Sequence, residues 1–150
     1  MDISTGDKVT PKELNFKYPL LFEDRSILIN SYNIETILAE KIETVLRRGK
    51  YNSRTKDYYD IYFFLTKLKN NINRSILKEA IYNTFTKRES SKYLKDYEKI
   101  IDSIIKNERL EKLWNIYSNK YKYAYGIDIN EILNLLKDTI KELYLEITAA

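Results

Sequence analysis

The stretch Arg-Thr-Lys-Asp-Tyr-Tyr-Asp-Ile-Tyr-Phe-Phe-Leu, residues 54–65, carries the period of an amphipathic helix. At about 100° per residue, Ile61, Phe64 and Leu68 fall on one face, and Asp57 lies in line with them. The spacing predicts a helix over 54–69 with an acid on its inward side. Working outward, Ile34, Ile37, Leu38, Ile42, Val45 and Leu46 describe the preceding helix, capped at Ser31 or Asn33 and stopped by Gly49. Lys41 falls within that apolar stripe. Two adjacent helices thus each place one charge, of opposite sign, on a core-facing side, and Lys41 and Asp57 are expected to meet or to share a cleft. Two readings stand side by side. One is a buried ion pair, which satisfies both charges but seldom improves on apolar packing. The other is a pocket lined by Lys41, Asp57 and Asp60, the last flanking the same face.

Between the two helices, residues 47–56 contain Arg47, Arg48, Lys50, Arg54 and Lys56 and no acid. Clustered guanidinium and ammonium groups beside a cleft suit phosphate, because arginine offers paired donors and both residue types supply charge. Arg47 and Arg48 also suit a helix C-terminus without any ligand. A second basic and aromatic stretch, Asn-Lys-Tyr-Lys-Tyr-Ala-Tyr-Gly at residues 119–126, reads first as tyrosines packed across a helix end and second as a supporting RNA contact. Trp114, with Leu110, Leu113 and Tyr117, reads as core.

Beyond this centre, helical periods are expected from Asn73 or Ser75 to residue 85, and over 94–105, 108–123 and 129–147. The first thirty residues differ. Residues 1–4 alternate, Thr5-Gly6-Asp7 resembles a turn, and short apolar runs at 18–22 and 26–30 read as strands with little to pair with. The expected architecture is mainly α, α+β overall: a bundle of about six helices over 31–150 with a small β element over 1–30.

The 150 residues include no cysteine and no histidine, so disulfides, Cys/His zinc sites, thiol nucleophiles and Ser-His-Asp triads are excluded within this chain. Any catalysis uses Asp, Glu, Lys, Arg, Tyr or a hard metal. A net charge of +4 favours a polyanionic partner, although abundant Lys, Asn, Ile and Tyr also fit an AT-rich gene. With no apolar run of membrane-spanning length and no signal-peptide pattern, a soluble cytoplasmic protein is expected.

Residues 32–41, Tyr-Asn-Ile-Glu-Thr-Ile-Leu-Ala-Glu-Lys, followed by Arg-Arg-Gly-Lys and Ser-Arg-Thr-Lys-Asp-Tyr-Tyr-Asp-Ile-Tyr, resemble the AbiEii family of nucleotidyltransferase toxins. The opening Asp-Ile-Ser-Thr-Gly-Asp with Thr10-Pro11 resembles the family's preceding segment, so the likeness covers roughly residues 1–90. It implies a DNA-polymerase-β-like nucleotidyltransferase fold, Mg²⁺ with an NTP, nucleotide transfer to RNA with tRNA as a known acceptor, and an AbiEi-like antitoxin in an abortive-infection, phage-defence pair. By the same resemblance Lys41 engages the nucleotide, Asp57 is a required acid, and Asp2 stands where such folds carry a third metal-binding carboxylate. The family's Gly-rich turn with an Asp-x-Asp pair does not occur in these 150 residues. The expectation is therefore a C-terminal part of such a toxin, with residues 1–30 as residual strands of its sheet. Alone it would be inactive and without tight Mg²⁺ or NTP binding, and its N-terminal nucleotidyltransferase segment would be a missing partner. The expected site comprises Lys41 and Asp57 as catalytic residues, Arg47, Arg48, Arg54, Lys56 and Asp60 as nucleotide or RNA contacts, and Asp2 at the metal. The alternative is a non-catalytic helical module that binds RNA or protein through residues 47–56 and 121–125.

Overall fold

The computed structural model describes the backbone at residues 16–20, 25–29 and 34–149, and side chains at 34–144. The architecture is mainly α. Among the described residues there are seven α-helices: α1 (Ile34–Arg48), α2 (Thr55–Thr66), α3 (Arg74–Lys87), α4 (Ser91–Lys95), α5 (Tyr97–Ile105), α6 (Glu108–Lys120) and α7 (Ile129–Ala149). Short 3₁₀ turns at Gly49–Tyr51, Lys69–Asn71 and Lys122–Ala124 join several of them. Of the β element expected over 1–30, the described residues show one antiparallel ladder, β1 (Phe16–Leu20) with β2 (Arg25–Ile29), pairing Tyr18 with Ile27. The strand expected at 1–4, the turn at 5–7 and the caps Ser31 and Asn33 lie outside the described residues.

The bundle forms around α1. From Ile34 to Ala39 every residue is buried, followed by Ile42, Glu43, Val45 and Leu46, so α1 is enclosed on nearly all sides. It packs chiefly on α3 and also on α2, while α7 closes the bundle against α2, α5 and α3. Trp114, Tyr58, Phe64 and Phe85 are the largest fully buried side chains. Each such ring removed from water contributes on the order of 1.5–3 kcal/mol. The Trp114 indole N–H donates to the Ile127 carbonyl at 2.8 Å, satisfying the polar atom that its burial would otherwise orphan.

Local signals set the boundaries. Asn73 caps α3, its Oδ1 accepting from the Ile76 N–H at 3.0 Å, and its own N–H donates to buried Glu35 on α1 at 2.7 Å. Gly49 ends α1 in the left-handed region at φ +55°, as a helix-stopping glycine does. The helix expected over 94–105 is instead two, and this raises the count from six to seven: the chain turns at Asp96 (φ −96°, ψ 18°) between α4 and α5. Upstream, α3 ends in a Schellman arrangement. The Ser90 N–H reaches the Phe85 carbonyl at 2.9 Å and the Glu89 N–H that of Thr86 at 3.1 Å, with Glu89 at φ +53° where glycine is usual. Among the described residues, no helix is long and apolar enough to cross a membrane.

Candidate functional site

Asp57 lies in the first turn of α2 and Asp60 one turn later; both are buried although charged. Lys41 comes from the middle of α1. Its Nζ is 2.8 Å from Asp60 Oδ2 and 4.0 Å from Asp57 Oδ1, so the expected meeting of the two helices' inward charges occurs, with Asp60 the nearer partner. The lysine side chain keeps 22% of its surface open against 5% and 7% for the two carboxylates, so the cluster opens outward at its cationic end. Asp57 Oδ2 makes no hydrogen bond and faces the Arg54 Nε at 3.4 Å. Two cations and two carboxylates thus form a continuous patch from the α1 interior to the loop before α2.

Burial is the main influence on Asp60, raising its carboxyl pKa from 3.8 to about 6 against the lowering effect of Lys41; the Asp57 charge adds to the rise and Lys56 opposes it. Tyr58 stays protonated far above neutrality through burial, against the opposing influence of the Asn52 amide, with the neighbouring Asp57 charge adding a smaller rise. Tyr59 is pushed up to about 12 by burial, then by Tyr123 and Asp60. Beneath the cluster Asn52 is buried in the α1–α2 connection and accepts the Arg54 N–H at 3.1 Å, which sets where that arginine leaves the backbone. The Asn52 amide nitrogen and the Tyr58 hydroxyl are buried without an aligned hydrogen bond.

The basic window divides. Arg54 joins the cluster, and Lys56 is close enough to act on Asp60. Arg48 and Lys50 are exposed, the Lys50 ammonium lying 5.5 Å from the Tyr51 ring centre. Arg47 points elsewhere: its Nε pairs with Glu43 at 3.0 Å, and Arg88 from the end of α3 holds the other Glu43 oxygen at 2.8 Å. Glu43 is fully buried and was not expected to be; its signal is the i, i+4 spacing to Arg47. Asn52, Tyr58 and Arg88 likewise enter through the fold. Asp2 lies outside the described residues, and among those described no group of three Asp or Glu side chains could hold a metal ion.

The tyrosines of 119–126 flank the same cluster. Tyr59, adjacent to Asp60, meets the Tyr123 ring at 4.6 Å between centres, and the Tyr117 and Tyr123 hydroxyls share a 2.8 Å hydrogen bond. Chemically the arrangement can hold an anion at the Lys41 and Arg54 end, against carboxylates that fix both cations in place.

Comparison with protein families gives a match over residues 1–134 to the model described as nucleotidyl transferase AbiEii toxin, type IV TA system. Comparison with curated proteins and with solved structures gave no match.

Proposed function

The chain belongs to the AbiEii nucleotidyl transferase toxin family, and on that premise we propose that the Lys41–Asp60–Asp57–Arg54 cluster is the phosphate-facing part of a nucleotidyltransferase site. A family of toxin–antitoxin systems implies an antitoxin partner; we take it to be AbiEi-like, the setting to be the cytoplasm and the role phage defence. The carrying observation is Lys41, held 2.8 Å from buried Asp60 yet open to one side. Arg54 and Lys56 form its rim.

In the proposed reaction an RNA hydroxyl, tRNA foremost, attacks the α-phosphorus of an NTP and gives up its proton to solvent. The bond to the β-phosphate bridging oxygen breaks and pyrophosphate leaves. Lys41 meets negative charge on the phosphates, and Asp60 and Asp57 hold that ammonium and the Arg54 guanidinium so that little reorganisation is needed when the substrate arrives. Nucleotidyltransferases generally use Mg²⁺ with the NTP. The two carboxylates of the cluster do not fit that ion: each already faces a cation, Asp60 facing Lys41 at 2.8 Å and Asp57 facing Arg54 at 3.4 Å. Under this proposal the metal-holding carboxylates come from an Asp-x-Asp segment outside these 150 residues, with Asp2 adding to them. The α-bundle is then the C-terminal part of a DNA-polymerase-β-like enzyme.

The test is transfer of an α-labelled NTP to tRNA, with Mg²⁺, by the chain alone and by the chain joined to a family segment bearing the Gly-rich Asp-x-Asp turn. Transfer is expected only for the joined protein. Lys41→Ala should then lower the rate about 10²- to 10³-fold, as loss of one charge-stabilising group does. Undiminished transfer by both Lys41→Ala and Asp57→Ala variants sinks the assignment. The second reading, a non-catalytic binding module, draws on the exposed Arg48 and Lys50 and on the basic, tyrosine-rich segment 121–125; it requires RNA retention that is independent of Lys41.

A further inference from the structure

Tyr59, Tyr123 and Tyr121 step outward from the core. Tyr59 is buried, Tyr123 lies 4.6 Å from it and half-buried, and Tyr121 follows at 5.3 Å with its plane only 28° from that of Tyr123. Each is held. The Tyr117 hydroxyl ties down Tyr123, the Tyr117 ring lies 4.8 Å from Tyr121, and buried Ala124 anchors the 3₁₀ turn between them. Exposed Lys120 and Lys122 bracket Tyr121, and the Lys120 ammonium rests 5.3 Å from that ring's centre, the contact a cation makes with an accessible π-face. The inner end of the series begins at the residue next to Asp60.

We propose that Tyr121, backed by Tyr123 and bracketed by Lys120 and Lys122, is a stacking platform for an unpaired base of single-stranded RNA. The Tyr123 and Tyr121 rings already stand as a stacked pair, tilted 57° from Tyr59 behind them, and Tyr121 is half-open, so a base continues the pair and little side-chain freedom is lost on binding. The two lysines supply the charge that the flanking phosphates need, Lys120 moving from the ring to the strand. Duplex RNA hides its base faces and has nothing to stack there. The inference rests on the transfer reading only in making this strand the acceptor; binding itself stands apart from it.

The experiment is fluorescence anisotropy with a labelled single-stranded oligoribonucleotide and the 150-residue chain, without NTP. Tyr121→Ala should weaken binding about five- to a hundred-fold, the range of one lost base stack, while Tyr121→Phe, which keeps the ring, binds as the parent does. Because Tyr121 also packs on its neighbours, a paired Lys120→Ala, Lys122→Ala variant provides a fold-neutral check: the log–log salt slope should fall by about 0.7 per lysine. A duplex of equal length and polyglutamate, an acidic polymer without bases, should compete poorly, as should free ATP or GTP. Equal affinity for parent and Tyr121→Ala, equal loss in Tyr121→Phe, an unchanged salt slope, or competition by polyglutamate, duplex or free nucleotide as strong as by the strand overturns the platform. Tyr121-dependent RNA binding alongside absence of nucleotide transfer from the joined protein removes the transfer reading and leaves the platform standing.

Discussion

Replacing Asp60 by Asn should stabilise this protein at neutral pH and do almost nothing to its stability near pH 4. Burial raises the Asp60 carboxyl from 3.8 to about 6 even with Lys41 at 2.8 Å. The folded value lies above the unfolded one, so between pH 3.8 and about 6 the folded chain holds a proton that the unfolded chain has released. The favourable contribution is complete below that window, fades as pH rises through it, and is gone above it. The displacement corresponds to about 3 kcal/mol at pH 8. An amide keeps the shape, turns an oxygen toward Lys41 and never ionises, but its hydrogen bond is weaker. A net gain of about 1–3 kcal/mol is therefore expected above pH 7. Urea unfolding of both proteins, followed by circular dichroism at pH 8 and pH 4, measures the difference directly, and other titrating groups cancel between them. The reasoning is refuted if Asp60→Asn is the less stable protein at pH 8, or if the gap is the same at both pH values.

Two further changes probe the frame that holds the cluster. Glu43→Gln removes the charge shared by Arg47 and Arg88; both guanidiniums are partly open to water, at 43% and 30% of their side-chain surface, and can be resolvated. The expected loss is about 2–3 kcal/mol in chemical denaturation, below the 3–5 kcal/mol of a fully enclosed pair. Glu89→Gly relieves an exposed left-handed residue at the end of α3 and should raise stability by about 0.5–1 kcal/mol, read as a higher urea midpoint.

Helical arithmetic on single segments located the inward acid and the inward lysine, because a period fixes which residues share a face. It did not locate Asp60 as the closer partner of Lys41, since that depends on how α1 and α2 cross. Arg47 was read as a nucleotide or RNA contact from a run of like charges; its pairing with Glu43 at 3.0 Å was not read. The burial of Glu43 went unread because Glu43 sits opposite the apolar stripe of α1, where a surface helix meets water, whereas α1 has α3 on that side. An amphipathic pattern presumes one wide wet face, and this central helix keeps only a narrow one, at Lys41 and toward its terminal arginines. The break at Asp96 went unread for a different reason, since no glycine or proline marks it and the turn follows from packing. The family motif, carried by short runs close together within residues 32–62, was legible where long-range pairings such as Arg88 with Glu43 were not.

The enclosure of α1 also divides the cluster in time. Backbone amides of a helix covered by neighbours on nearly every side exchange with solvent chiefly through global unfolding, whereas those near exposed loops exchange through small, frequent openings. Lys41 belongs to the first population and Arg54, in the exposed connection before α2, to the second. Deuterium uptake should therefore be slowest across 36–46 and fast across 50–55. The two cations that the carboxylates hold side by side thus stand on backbone of opposite lifetimes, one on the slowest-opening helix and one on the fast-opening connection.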